Sequence, residues 1–224
     1  MVFAAVSLTG LSGCATFAPP IPLMTFGGPK TVAPQHWELG IGIGSGAMAF
    51  TNSFGGGSGY LGRWRTGLSD KLDVGIDVMG VEHSGNGTFS FKPAVRYQAA
   101  DHLRFEAGVG AADDSEGKSV GGDLGFVVGT TRDRAPWNFY GALRFAGSLG
   151  FNDKNHRTAR PGENDPPSDA GFGLLSVGAS ASISPTSQFI TEAGFGLVYV
   201  GRTKEYGQMM YLSVGLLFDV GHHN

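Results

Sequence analysis

The chain has 224 residues, 16 Lys and Arg against 19 Asp and Glu, and a formal net charge of -3. That length suffices for one substantial domain or one barrel, and the mild charge, with no basic cluster, excludes nucleic-acid binding. Its 38 glycines follow no collagen-like period and are interleaved with aromatic and β-branched residues, which favours repeated short strands over long helices.

Residues 1–13 form an apolar stretch that ends at Cys14, the single cysteine, which therefore has no disulfide partner in the chain. Residues 14–35 are rich in Pro and carry one charge, Lys30, and are expected to be an irregular tether. Beyond them no apolar run approaches the roughly 18 residues of a membrane helix, so a membrane protein of this composition would have to cross as a barrel.

From His36 the pattern changes to period-two alternation, the signature of strands. Ten segments are expected near 36–46, 58–68, 71–82, 88–100, 102–112, 119–131, 137–149, 171–183, 188–200 and 208–220. Each is close to the length of a tilted membrane strand. Compact turns at 69–71, 99–102, 132–136 and 184–188 alternate with longer connections at 48–57, 83–87, 113–118, 152–170 and 201–207. Short turns on one side and longer loops on the other describe an outer-membrane barrel with its short turns in the periplasm.

The two faces of the segments differ in chemistry. Leu72, Val74, Ile76 and Val78 alternate with Asp73, Gly75, Asp77 and Met79, and Phe89, Phe91, Val95 and Tyr97 alternate with Ser90, Lys92, Ala94 and Arg96. Trp37, Trp64, Tyr97, Phe105, Trp137, Phe189 and Phe218 fall near one set of strand ends, and Tyr60, Phe89, Phe145, Phe172 and Tyr199 near the other, as two aromatic girdles would. A soluble sandwich or lipocalin-like barrel is the alternative. The expected fold is all-β: a closed antiparallel transmembrane up-and-down β-barrel of about ten strands, eight as the alternative, over residues 36–220, with 221–224 a short tail.

Projecting the strands turns a set of charges inward: Glu38, Arg63, Arg65, Asp73, Asp77, Lys92, Arg96, Arg104, Glu106, Asp123, Arg144 and Glu192. A lumen of this size is little more than filled by its side chains, so these charges are expected to pair with one another in a plugged core. Pro93 removes a ladder donor in mid-strand and is expected to mark a bulge or local irregularity. The glycines of "GIGIGSG" (40–46) share a face that makes room inside the barrel; the stretch has neither the lysine nor the following helix of a phosphate loop. Glu82 with His83, and Asp153 with His156, are the acid–histidine neighbours inspected for catalysis. Neither has a nucleophile fixed beside it by strand spacing, so no catalytic residue, metal site or cofactor is expected.

Two short motifs carry resemblances. "LSGC" (11–14) resembles the lipobox of bacterial lipoproteins, which implies diacylglycerol on Cys14, removal of residues 1–13 as a signal peptide and acylation of the new amino terminus. Chains contributing about 0.8 kcal/mol per buried CH₂ would hold such a protein stably. The absence of Lys or Arg from residues 1–13 departs from the usual basic start of such a signal, and an unmodified cysteine in an ordinary signal peptide is the alternative. "SVGLLFDV" (213–220) looks like the terminal-strand signal read by the outer-membrane assembly machinery, with Ser213, Gly215, Phe218 and Val220 in its places. Together they suggest an outer-membrane barrel lipoprotein similar in size to small barrels of the OmpA and OmpX type. The implied partners are outer-membrane lipid, the assembly machinery during biogenesis and proteins meeting the extracellular loops. The role expected is structural or interactive, with a narrow pore second and a surface enzyme third.

Overall fold

A computed structural model describes residues 24–50, 53–83, 86–114, 118–130, 137–151, 169–201 and 204–221. Ten strands follow one another: β1 (Trp37–Phe50), β2 (Ser53–Ser69), β3 (Leu72–His83), β4 (Asn86–Ala100), β5 (Leu103–Asp114), β6 (Lys118–Gly129), β7 (Trp137–Phe151), β8 (Asp169–Ser184), β9 (Ser187–Val200) and β10 (Glu205–Val220). Each pairs antiparallel with its sequence neighbours, and β1 closes on β10 from Trp37 opposite Val220 to Phe50 opposite Gly207. Closure leaves no strand edge, so every ladder can be satisfied without water. The shifts of register lie at Gly67/Ser69, Gln98/Ala100 and Ser182/Ser184, beside the short turns. At Pro93 there is no bulge but a local irregularity: the β4–β5 ladder skips Lys92 and Pro93 and resumes in the same register, Phe91 opposite Ala111 and Ala94 opposite Gly108.

The wall is apolar outside, and inside it holds the charges together with two apolar clusters, one around Met24, Phe26 and Ile190 and one around Phe172, Leu174 and Val198. Ile43, Leu124, Val109, Val177, Phe139 and Met210 are each more than half exposed, whereas eleven of the twelve charges named above are buried. A water-soluble barrel could not present such a belt, so the chain is built to stand in a bilayer. Trp37, Trp64, Tyr97, Phe105, Trp137, Phe189 and Phe218 all face outward, as do Tyr60, Phe89 and Phe145. Phe172 does not join the second girdle; it is buried in the lumen. In β8 the adjacent leucines Leu174 and Leu175 make the alternation readable on either face, and the structure turns Ala170, Phe172 and Leu174 inward.

Two further expectations are corrected. The strands rise higher than the hydrophobic alternation: Phe50 pairs with Ser53, His83 with Asn86 and Asp113 with Lys118. The described residues of the connections at 48–57, 83–87 and 113–118 are therefore strand. The second correction concerns residues 14–35. Their described part, residues 24–35, is not an outside tether but turns into the barrel, where Met24, Thr25, Phe26 and Val32 are buried.

Candidate functional site: the charged lumen and its inner segment

The charged side chains reach the lumen because they occupy alternate positions on neighbouring strands, and ladder register brings opposite signs together. Arg63 stands opposite Asp77 and binds it through Nε at 2.8 Å and Nη2 at 3.0 Å. Arg65 Nη2 donates to the same carboxylate at 2.7 Å, and Lys92 Nζ lies 3.6 Å from it. Lys92 donates to both oxygens of Asp123, at 3.0 and 2.9 Å. Arg144 links Asp123, through Nε at 3.4 Å, to Glu106, and Arg104 binds Glu106 at 2.7 Å. The result is one continuous chain of ion pairs through β2, β3, β4, β5, β6 and β7, five cations against three carboxylates. Beside it Arg96 joins Asp73, at 2.8 and 3.0 Å, to Glu38 at 3.2 Å.

Glu192, on β9, is 1% exposed and its carboxylate is held by hydroxyls and an amide. Tyr140 donates to it at 3.0 Å, Tyr211 also donates, and Thr25 donates through its N–H at 2.8 Å and its hydroxyl at 3.0 Å. The tyrosines are aimed there by their cross-strand partners. Tyr140 lies opposite Gly178 and Tyr211 opposite Gly194, and a Cβ at either glycine would run into the tyrosine ring. Only glycine lets these rings lie flat against the wall with their hydroxyls on Glu192.

The inner segment, residues 24–35, is gripped mainly through its backbone. Arg63 Nη1 donates to Thr25 O at 2.6 Å, Arg104 Nη1 donates to Gly28 O and to Lys30 O, and Val32 N donates to Asp73 at 2.9 Å. The N–H and hydroxyl of Thr31 donate to Gln98 Oε1, each at 3.3 Å. Thr25 thus bridges the two walls, its carbonyl toward Arg63 and its N–H toward Glu192. The Arg63 guanidinium also stands 5.0 Å from the Phe26 ring centroid, a cation–π contact. Gly40 and Gly42 supply the room: a Cβ there would come 3.0 and 3.2 Å from the Phe26 ring. At the entrance Pro34 bridges Gly67, whose bare backbone alone admits the carbonyls of Val32 and Ala33.

Eleven of the twelve inward charges meet in two ion-pair groups, and Glu192 stands in a separate hydroxyl site. Of the terminal-strand residues, Ser213 and Gly215 face the lumen, Ser213 donating to Glu192 O at 3.4 Å and Gly215 lying against Met24 and Phe26; Phe218 and Val220 face outward. Cys14, Asp153 and His156 lie outside the described residues. Among the described residues no group of His, Cys, Asp and Glu is placed to hold a metal ion. Thr25, Gln98, Tyr140 and Tyr211 were not singled out by sequence reasoning. The signals for them were the tyrosine–glycine pairs and a glycine face on β1 that needed something to fill it.

No protein-family profile matches the chain, and no curated protein sequence does. Solved structures do resemble it, at low identity. Neisserial surface protein A is 12% identical, with 81% of this chain and 96% of that one covered and a TM-score of 0.42. The NanC porin is 11% identical over 81% of this chain and 98% of that one, TM-score 0.42. The outer membrane protease OmpT from Escherichia coli is 7% identical over 84% and 98%, TM-score 0.45. The chain's own coordinates make it a closed, ten-stranded transmembrane up-and-down β-barrel, apolar outside and ion-paired within.

Proposed function

We propose that this protein is an integral barrel of the bacterial outer membrane, lipid-anchored through Cys14, whose lumen is closed by its own inner segment and charge network. It serves as a structural or interaction component and presents loops to the exterior; it is not an enzyme. The observation that carries this reading is the seating of residues 24–35 between Arg63 and Glu192, with wall side chains on their backbone groups. In planar bilayers the full-length protein is expected to give little or no steady conductance. Large, stable steps from wild type would promote the pore reading over the closed one.

Membrane anchoring and orientation have their own tests. Wild type should carry acyl chains on Cys14 by mass spectrometry, and Cys14→Ser should carry none and accumulate as an unprocessed or soluble precursor; a wild-type amino terminus elsewhere without acyl mass removes the lipid anchor from the reading. The polar run "NDKNHRTARPGENDPPS" (152–168) has almost no apolar residue to bury and links the ends of β7 and β8 opposite the short turns, the kind of connection on which binding functions concentrate. Trypsin added to intact cells should therefore cut at Arg157, Arg160 being shielded by Pro161, while the barrel stays folded. Cutting only after the outer membrane is permeabilised would mean the barrel stands the other way up.

A further inference from the structure

We propose that the inner segment is a displaceable occupant and that the wall beneath it is a passage selective for small anions, chloride and carboxylates among them. This rests on the closed-lumen reading above. The segment is not part of the wall: among the described residues its one β-bridge is Pro34–Gly67, Met24 and Phe26 pack on the apolar side chains of Leu61, Ile190 and Leu217, and the ion pairs run from wall to wall. If residues 24–35 withdraw, Asp77, Asp123, Glu106 and Asp73 all keep their cationic partners.

What withdrawal uncovers is unequal in sign. Arg63 Nη1 loses Thr25 O, and Arg104 Nη1 loses Gly28 O and Lys30 O. Three further buried guanidinium nitrogens, Arg65 Nε, Arg96 Nη1 and Arg104 Nε, have no hydrogen-bond partner among the described residues even with the segment in place. Against these donors the other wall offers Glu192, which keeps both tyrosine hydroxyls, and Asp73 keeps Arg96. Along β2 to β7 six inward cations meet four inward carboxylates, a positive excess of that wall which Glu38 on β1 and Glu192 on β9 offset across the lumen. Carbonyl oxygens of the segment now meet that excess, and a small anion presents the same acceptor chemistry with a full charge. The glycine floor of Gly40, Gly42 and Gly215, occupied now by Met24 and Phe26, supplies the width.

The test uses the full chain with Phe26→Ser, which removes the anchoring ring and its cation–π contact with Arg63 while leaving every ion-pairing side chain of the wall in place, and separately with Gly67→Val, which closes the entrance to residues 32 and 33. Folding is followed by the mobility shift of unheated samples on gels, and release by hydrogen exchange at the amides of Thr25 and Val32. Released variants are expected to open steady steps in planar bilayers, with a reversal potential in a KCl gradient that shows a several-fold preference for chloride over potassium. Adding Arg104→Gln should abolish most of that preference. Release with steps that favour potassium, or neither ion, overturns the anion passage. Release without conductance overturns it too, and leaves the closed lumen standing on the wall ion pairs alone. If neither variant raises exchange, or neither folds, the segment is constitutive and the proposal fails. Wild type conducting as well as the variants would instead defeat the closed-lumen reading.

Discussion

Replacing Asp77 with alanine should destabilise the barrel by about 3–5 kcal/mol, the usual consequence of removing one partner from a buried ion pair. Asp77 is 3% exposed and serves Arg63, Arg65 and Lys92 at once. Without it Lys92 keeps Asp123 and Arg63 keeps only the carbonyl of Thr25. Arg65 fares worst, since its remaining hydrogen bond is a 3.5 Å contact to Trp64 O. Two guanidinium groups would then stand buried beside each other with no carboxylate. Asp113 provides the control: it pairs with Lys118 at 3.3 Å, but both side chains are more than half exposed. Asp113→Ala should therefore shift stability by no more than about 1 kcal/mol. Urea unfolding of the refolded barrel, followed by tryptophan fluorescence, measures both. Equal midpoints for the two variants would mean that the lumen charges are hydrated and do not depend on their partners.

The legible part of this fold was the part that alternates. Leu72 to Met79 and Phe89 to Arg96 separate apolar from charged residues so cleanly that strand, face and inward charge follow together. The signal failed where one face ceases to matter. Above the apolar belt, "MAF" and "SFGGG" continue a ladder whose backbone pairs without any hydrophobic contrast, so β1 and β2 looked shorter than they are. In β8 the Leu174–Leu175 pair hid the phase and with it the inward turn of Phe172. The inner segment was invisible for a different reason. It is recognised through carbonyls and amides, which every residue has, and a Pro-rich run with one charge looks the same whether it hangs outside a barrel or fills it. The charges on the wall were readable as inward, but their second use, binding the backbone of residues 25–32, was not.

Glu192 offers the sharper probe of that second use. Its carboxylate collects Tyr140, Tyr211 and both donors of Thr25, with no cation in hydrogen-bond contact among the described residues. Glu192→Ala takes the acceptor from the Tyr140 hydroxyl and from the N–H and hydroxyl of Thr25, while Tyr211 keeps its hydrogen bond with Ser176, at about 1–3 kcal/mol for each buried group so stranded. The expected loss is therefore roughly 3 kcal/mol or more, comparable with that from Asp77→Ala although no ion pair is broken. Its pattern should differ. Loss of Asp77 weakens the wall, where β2, β3 and β4 meet, whereas loss of Glu192 frees the end of the inner segment from β9 while Arg63 still holds Thr25 O. Hydrogen exchange should accordingly rise first at Thr25 in Glu192→Ala, with the β2–β3 ladder still protected, and in that ladder in Asp77→Ala. Glu192→Gln keeps the shape and one acceptor oxygen and should fall between wild type and alanine. If Glu192→Ala proves as stable as wild type and Thr25 stays protected, then the tyrosine–glutamate–threonine cluster does not hold the segment, and Arg63 and Arg104 must do so alone.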